Sequence, residues 1–256
     1  MVTTTNQSSS KDKINQVFSF LTEHHSHNHR VQANYYKSIL TPYYSVPEKV
    51  ISLLYTIMGT QSQPKLDFVG GFFQDIHGSE NYSQLGSFRG FLQALNKGSK
   101  GSMTYLGLFD ALNRKNGWGE KTSAFFTKAI YDLHCGDYDP VLNLWADATT
   151  GEVEGDRLYL PVDSVIINVF KLIDPKLNSF KKINEYLYNA GYTHKNFVIW
   201  DDLWFWGYFT QKGSGYERIM GLNEYKYWAY PYFIKESDEV KCVMDKAKEF
   251  LRIIQE

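Results

Sequence analysis

Two residues of this chain stand where side-chain chemistry would need them, each at the predicted start of a helix. Lys121 directly follows the stretch GWGE at positions 117–120, and Asp163 precedes an apolar run that begins at Val165. A lysine amine can act as a nucleophile towards an electrophilic carbon, and a carboxylate can stabilise positive charge that develops beside it. The sequence therefore offers a candidate nucleophile and a candidate electrostatic partner.

The glycines before Lys121 predict a tight turn between two helices. Gly117 and Gly119 allow left-handed backbone and the close approach of another chain. The N–H groups at the start of the second helix would point outward and favour an anion such as a phosphate. Because backbone dipoles make that contact, it suits a chain of formal net charge −1. An ordinary interhelical turn with a surface lysine explains the same residues.

Hydrophobic spacing predicts helices through most of the chain. Pro47 suits the first position of an early helix. Asp163 suits the N-cap of a later helix, and on an alternative interpretation it is a helix cap with no role in chemistry. Asp201 or Asp202 is placed to cap an aromatic helix. Apolar residues repeat at helical spacing in segments 47–59, 102–114, 124–133, 165–173, 203–209 and 240–254.

Residues 150–161 differ, because apolar and polar residues alternate around a Gly-Asp pair, which predicts a short two-stranded β-hairpin. We place it in an insertion over about 137–160. Strands and helices do not alternate elsewhere, so the all-α class is favoured. The polar residues 1–11 predict a disordered N-terminal tail, which leaves 12–256 as the folded domain.

Composition excludes several classes of protein. The two cysteines are too few for a disulfide framework, a four-cysteine zinc site or an iron–sulfur cluster. No signal peptide and no membrane span is evident, so we expect a soluble cytoplasmic protein with no membrane partner, and a monomer. The histidines of segment 24–29 suggest metal binding, but a solvated helix end is the favoured interpretation, and we expect no metal and no cofactor.

Three features in order resemble the helix-hairpin-helix superfamily of DNA glycosylases. They are an apolar helix ending near Gln61, the pattern G-x-G-x-K at 117–121, and Val162-Asp163 opening the next helix. The closest pattern is that of the lysine-dependent 8-oxoguanine DNA glycosylase/AP lyases, and the match covers about residues 45–210. The resemblance implies two helical subdomains flanking a cleft, with the helix-hairpin-helix at about 102–134.

The resemblance also implies roles for individual residues. Lys121 would attack the sugar of a flipped nucleotide in double-stranded DNA and expel the base through a Schiff-base intermediate, with Asp163 as its partner. Phe125 would border the base pocket, and the alternative is that its side chain only packs in the hydrophobic core. The residues that would contact DNA are Gln61, Gly117, Gly119, Arg114 and Lys115, and Lys128 flanks the same hairpin. Trp204 and Trp206 are further candidates for the base pocket. For these two tryptophans, a place in a buried aromatic helix is the favoured alternative.

The chain departs from the family pattern in ways that suggest a divergent branch. It lacks the cluster-binding cysteines of the iron–sulfur branch, Asn116 stands where a Leu-Pro pair is frequent, and the interval from Lys121 to Asp163 is long. Excision of 8-oxoguanine is the first choice of activity. The alternatives are a glycosylase for bulky modified bases such as those of phage DNA, with a role in defence, a non-catalytic helix-hairpin-helix DNA-binding protein, and a helical scaffold protein.

Overall fold

The computed structural model describes residues 3–97, 102–148, 154–213 and 218–256. Within these ranges the protein is mostly helical, with thirteen α-helices, one short 3-10 helix and one two-stranded antiparallel sheet. The predicted all-α class with a small β-element is therefore confirmed. None of the helices in the described ranges has both the length and the apolar character needed to cross a membrane.

The chain divides into two compact units. The first unit contains the chain up to Asn34 together with Val162–Glu256. Its elements are α1 (Thr3–Glu23), the start of α2 (His25–Leu40), α9 (Ser164–Ile173), α10 (Phe180–Asn189), α11 (His194–Phe209), β1 (Gln211–Lys212), β2 (Ile219–Met220), α12 (Glu224–Ala229) and α13 (Ser237–Gln255).

The second unit contains Tyr35–Pro161. After the end of α2, its elements are α3 (Val46–Met58), α4 (Leu66–His77), α5 (Ser79–Gln84), α6 (Phe88–Leu95), α7 (Tyr105–Asn113), α8 (Glu120–Cys135) and the 3-10 helix (Pro140–Leu142). Its core is formed by apolar residues at the spacing that the sequence predicts, including Val50, Leu53, Leu54, Leu108, Leu112, Ala124, Ala129 and Leu133.

Helix starts follow the capping signals of the sequence, with small shifts. Pro47 occupies the second position of α3, because Ser45 is the N-cap and forms a capping box with Glu48. Asp163 is the N-cap of α9, as predicted. The prediction that Asp201 or Asp202 caps the aromatic helix is wrong, because α11 begins two turns earlier.

Two further predictions differ from the structure. The segment predicted as a β-hairpin has a turn at Gly155 and no strand over residues 154–161, while residues 150–153 lie outside the described ranges. The strand pair lies instead at Gln211–Lys212 and Ile219–Met220. Helix α1 begins at Thr3, inside the segment predicted as a disordered tail. The buried side chains of Ile14 and Val17 anchor this helix, and its polar first turns extend it.

The described part of the insertion over 137–160 is attached to two helices of the second unit. The Asp147 carboxylate accepts the backbone N–H groups of Phe88 and Arg89 at 2.7 and 3.1 Å, at the start of α6. The Asp156 carboxylate accepts those of Tyr105 and Leu106 at 2.9 and 2.8 Å, at the start of α7. Both contacts satisfy helix N-terminal donors with negative charge, which stabilises α6 and α7.

We therefore expect Asp147→Ala and Asp156→Ala each to lower the free energy of unfolding by about 0.5–2 kcal/mol, the usual cost of losing a helix cap. Urea titrations followed by circular dichroism measure this. Asp137→Ala is the matched control, because Asp137 is exposed in the same insertion, and it should change stability little. Equal stability of all three variants would show that the carboxylates do not hold the insertion.

Candidate functional site

The turn between α7 and α8 has two glycines in different roles. Gly117 has a φ of +88°, and a Cβ on it would lie 3.3 Å from the backbone of Phe68 and Val69 at the start of α4. Gly119 has ordinary extended backbone and is the N-cap of α8, and a Cβ there would have no atom within 4 Å. Gly117 thus lets the turn pack closely on α4, and Gly119 presents open space at the start of α8.

Hydrogen bonds attach the α7–α8 turn to the end of α3. The Gln61 amide donates to the Gly117 carbonyl at 3.0 Å. The Lys121 Nζ donates to the Thr60 hydroxyl at 3.1 Å and to the Thr60 carbonyl at 3.3 Å. Gln61, Gly117 and Lys121 therefore lie together around one turn of the second unit.

Helix α8 faces the core with one side and carries Lys121 at its start. Phe125, one turn after Lys121, is half-buried, so part of its ring is open to solvent. Lys128 is not a surface cation as the sequence suggests, since its side chain is 1% exposed and its Nζ lies 2.9 Å from Asp132. The Tyr36 hydroxyl donates to the same carboxylate at 2.9 Å. Lys128 thus belongs to a buried polar network that ties α8 to α2.

The cations beside the turn differ in their surroundings. Arg114 is exposed and its guanidinium donates to the Asn96 side chain at 2.8 Å. Lys115 is half-buried, and this burial lowers the pKa of its amine, with the positive charges of Lys97 and Arg114 acting in the same direction. The turn therefore gathers positive charge on the side that carries the end of α7.

In the first unit Asp163 is fixed by the helix that it caps. Its Oδ1 accepts the backbone N–H groups of Val165 and Ile166 at 2.8 and 3.0 Å. The buried Gln211 side chain donates to the Val165 carbonyl at 2.9 Å, which attaches the start of α9 to β1. A Cβ on Gly207 would lie 2.8 Å from the Val165 side chain, so the absence of a side chain there lets α9 pack closely on α11.

The two tryptophans predicted as pocket residues lie in different environments. Trp206 is fully buried, and its ring contacts those of Phe20, His24 and Phe209. The structure therefore places it in the core of the first unit, which agrees with the alternative interpretation as a buried aromatic helix. Trp204 is half-buried and stacks on Tyr208 with ring centroids 5.0 Å apart, so it alone of the two retains a part open to solvent.

The prediction that the histidine segment 24–29 is a solvated helix end is wrong. Its side chains form polar contacts with other helices of the first unit. His25 Nδ1 lies 2.7 Å from Asp202, and His27 Nδ1 lies 2.7 Å from Glu239. Asn28 donates to the second oxygen of Asp202 at 2.7 Å. No group of three metal-ligating side chains is found among the described residues. These contacts pack the start of α2 against α11 and α13.

The sequence did not indicate Thr60 as a partner of Lys121, and it indicated Asp202 only as a helix cap. Thr60 accepts hydrogen bonds from the Lys121 amine. Its position next to Gln61 was the one signal in the sequence for this contact. Asp202 is the fully buried partner of two side chains that lie more than 170 positions away in the chain, so neither periodicity nor a local motif predicts its contacts. An acidic residue in a predicted apolar helix is the single available signal, since buried carboxylates are rare without partners.

We expect Gly117→Ala to lower the free energy of unfolding by about 1–2 kcal/mol, because an alanine at positive φ is strained and its Cβ would press on the backbone of α4. Gly119→Ser is the matched control, since its backbone is extended and serine is a favoured N-cap. Urea unfolding should show a loss for the first variant and none for the second. A Gly117→Ala protein as stable as wild type would contradict this account of the turn.

The buried Asp202 predicts a pH dependence of stability. Burial raises its pKa from the ordinary 3.8 to about 6, despite the hydrogen bonds from His25 and Asn28 that lower it. A raised pKa in the folded protein adds stability that is full below 3.8 and is lost as the pH rises through about 6.

The unfolding free energy of the wild type should fall as the pH rises and Asp202 ionises, and we expect Asp202→Asn to remove this contribution because an amide does not titrate. The amide can still accept a hydrogen bond from Asn28 and donate one to His25. Chemical unfolding at intervals from about pH 4 to 7 measures the slope. The exposed Asp137→Asn is the control. An unchanged slope in Asp202→Asn would show that Asp202 does not titrate in this range.

No protein-family model, curated protein or solved structure matches this chain. The resemblance to helix-hairpin-helix glycosylases therefore depends on the residues themselves. Four of these residues lie together in the second unit, namely Gln61, Gly117, Gly119 and Lys121. Asp163 lies at the start of α9 in the first unit.

Proposed function

We propose that the chain is a DNA glycosylase with associated AP-lyase activity, in which Lys121 is the nucleophile and Asp163 its electrostatic partner. The observation that carries the proposal is the α7–α8 turn, where the Lys121 amine lies beside an open helix N-terminus and the end of α3.

The start of α8 suits a DNA phosphate. The first N–H groups of a helix have no partner within it, and together with the helix dipole they attract an anion. Gly119 leaves open space beside them, because no side chain stands there and no atom lies within 4 Å of where one would begin. Arg114 and Lys115 add positive charge at the beginning of the turn, where α7 ends. This support for phosphate binding is local, so it does not require a basic chain.

Lys121 would supply the chemistry. Its nitrogen forms a bond to the sugar carbon that carries the base, the glycosidic bond breaks, and the base leaves with the bonding electrons and is protonated. The sugar ring then opens to a Schiff base, which permits strand cleavage by β-elimination. An unperturbed lysine amine has a pKa of about 10.4 and is mostly protonated at neutral pH, so it must lose a proton before it attacks.

Asp163 would stabilise the positive charge that develops on the sugar as the glycosidic bond breaks. Its cap hydrogen bonds fix the carboxylate on the first turn of α9, so its negative charge is held in place without reorganisation during the reaction. A carboxylate that is already oriented suits electrostatic catalysis.

The first choice of substrate is 8-oxoguanine, which follows from the resemblance to lysine-dependent enzymes. Bulky modified bases such as those of phage DNA are the alternative. Phe125 serves either, because its half-buried ring lies one helical turn after Lys121 and an extruded base could stack on its exposed part.

A second candidate function follows from the contact between Lys121 and Thr60. This contact joins α8 to the end of α3, so the lysine also has a purely structural use. On that interpretation the protein binds DNA through the turn without catalysis. Binding would then survive the loss of Lys121, and no base would be released from any duplex.

We expect Lys121→Gln to abolish borohydride trapping of the protein on a duplex with an abasic site, a loss of more than about 100-fold, because no amine remains to form the Schiff base. Lys37→Gln is the control, since Lys37 is an exposed lysine of the same unit and should trap like wild type. The abasic duplex makes the test independent of which base is excised. Equal trapping by both variants would exclude the proposed nucleophile.

Asp163→Asn tests the carboxylate separately. Asparagine caps helices about as well as aspartate, so the fold should lose at most about 1 kcal/mol, the usual value of a charge at a helix terminus. Base release, measured by chromatography over a panel of damaged and modified bases, should fall by at least about 10-fold because the negative charge is gone. Unchanged release would contradict the role of Asp163.

A further inference from the structure

The segment from Gln211 to Lys235 combines positive charge with many aromatic residues. It contains four basic and two acidic residues, so its net charge is +2 in a chain whose net charge is −1. Seven of its residues are Tyr, Trp or Phe. The structure describes residues 211–213 and 218–235 of it, which form β1, β2 and α12 with the residues that follow, and we call this described part the hairpin–α12 segment. Basic residues interleaved with aromatic ones are typical of surfaces that bind nucleic acid.

The aromatic residues of the hairpin–α12 segment divide into an inner and an outer set. Tyr227 and Phe233 are buried, and the Tyr227 hydroxyl donates to the Ile234 carbonyl at 2.7 Å. Tyr225 and Trp228, on the same short helix, are 87% and 53% exposed. The inner set therefore packs in the core of the first unit, and the outer set is exposed to solvent. Exposed aromatic rings at neighbouring positions indicate a binding surface.

Two lysines of the hairpin–α12 segment donate to backbone carbonyls at either side of α12. Lys235 donates to the carbonyls of Tyr227 and Tyr230, and its Nζ lies 5.6 Å from the centre of the Trp228 ring. Lys226 donates to the Gln211 and Gly213 carbonyls, which fixes α12 to the end of β1. These bonds attach α12 to the end of β1 and to the residues that follow α12.

A guanidinium of the hairpin–α12 segment is bonded to the first residue of α9. Arg218 donates to the hydroxyl of Ser164, the residue directly after Asp163, at 3.3 Å. Buried Gln211 also joins the segment to the first turn of α9. Lys212, exposed on the other strand, pairs with Ile219 in the strand register. Arg218 also lowers the pKa of Lys226, after the larger effect of burial, so positive charges lie close together here.

We propose that the hairpin–α12 segment is a second DNA-binding element, in which Arg218 and Lys212 contact backbone phosphates near the nucleotide at Asp163 and the rings of Tyr225 and Trp228 stack on unpaired bases of the strand. The inference rests on the proposed function, because it takes DNA as the partner. Guanidinium and ammonium groups bind phosphates in a sequence-independent way, and base–aromatic stacking tolerates any base. The segment thus suits a strand opened at an extruded nucleotide.

The test is fluorescence anisotropy with the full chain and a labelled duplex that contains a tetrahydrofuran abasic analogue, at KCl concentrations from about 50 to 200 mM. The double variant Lys212→Gln/Arg218→Gln should make the slope of log affinity against log salt less negative by about 1.8, because two phosphate contacts are lost. The exposed lysines Lys181 and Lys195, both changed to Gln, give the control with the same change in charge, and their slope should equal that of wild type.

The aromatic residues are tested in the same assay. Tyr225→Ala/Trp228→Ala should weaken binding by at least about tenfold, the usual effect of losing a stacked base. Tyr44→Ala is the control, since Tyr44 is fully exposed in the other unit. Thermal unfolding of each variant establishes that it is folded.

The outcomes separate this inference from the proposed function. If wild type binds with a steep salt slope and both segment variants match their controls, the hairpin–α12 segment is not a DNA-binding element, and the proposed function is unaffected. If wild type binds no DNA over the whole salt range, the proposed function fails and this inference fails with it.

Discussion

The position of Lys121 depends on the close approach of Gly117 to the backbone at the start of α4. A Cβ on Gly117 would lie 3.3 Å from the backbone of Phe68 and Val69 and would press on it, and a side chain at this positive φ would be strained. The Gln61 hydrogen bond to Gly117 and the Lys121 contacts with Thr60 both need the turn in that place. One glycine therefore determines which groups surround the candidate nucleophile.

A comparable constraint acts on Asp163 in the first unit. Gly207 lets α9 lie close to α11, and the buried Gln211 ties the first turn of α9 to β1. The cap hydrogen bonds then fix the carboxylate. The hairpin–α12 segment is attached to the same turn through Arg218 and Ser164. In each unit a glycine without a side chain permits a close contact, and a buried or half-buried glutamine secures it.

Local signals predicted the helices and the cap at Asp163, because apolar periodicity and capping depend on residues close together in the chain. Contacts over long sequence separations were not predicted. Half-buried His25 pairs with buried Asp202 across 177 positions, and Asp147 and Asp156 bind helix starts more than 50 positions away. The strand pair was placed in the wrong segment, because the Gly-Asp turn at 155–156 supplied a hairpin signal while Asp156 is used to cap α7.

The most direct test of the central claim is to identify which amine joins DNA. The protein is reduced with borohydride on a duplex with an abasic site, digested with trypsin and nuclease, and the peptide that carries the sugar remnant is sequenced by mass spectrometry. We predict the remnant on Lys121. A remnant on any other lysine or on the N-terminal amine, or no adduct at all, would contradict the account.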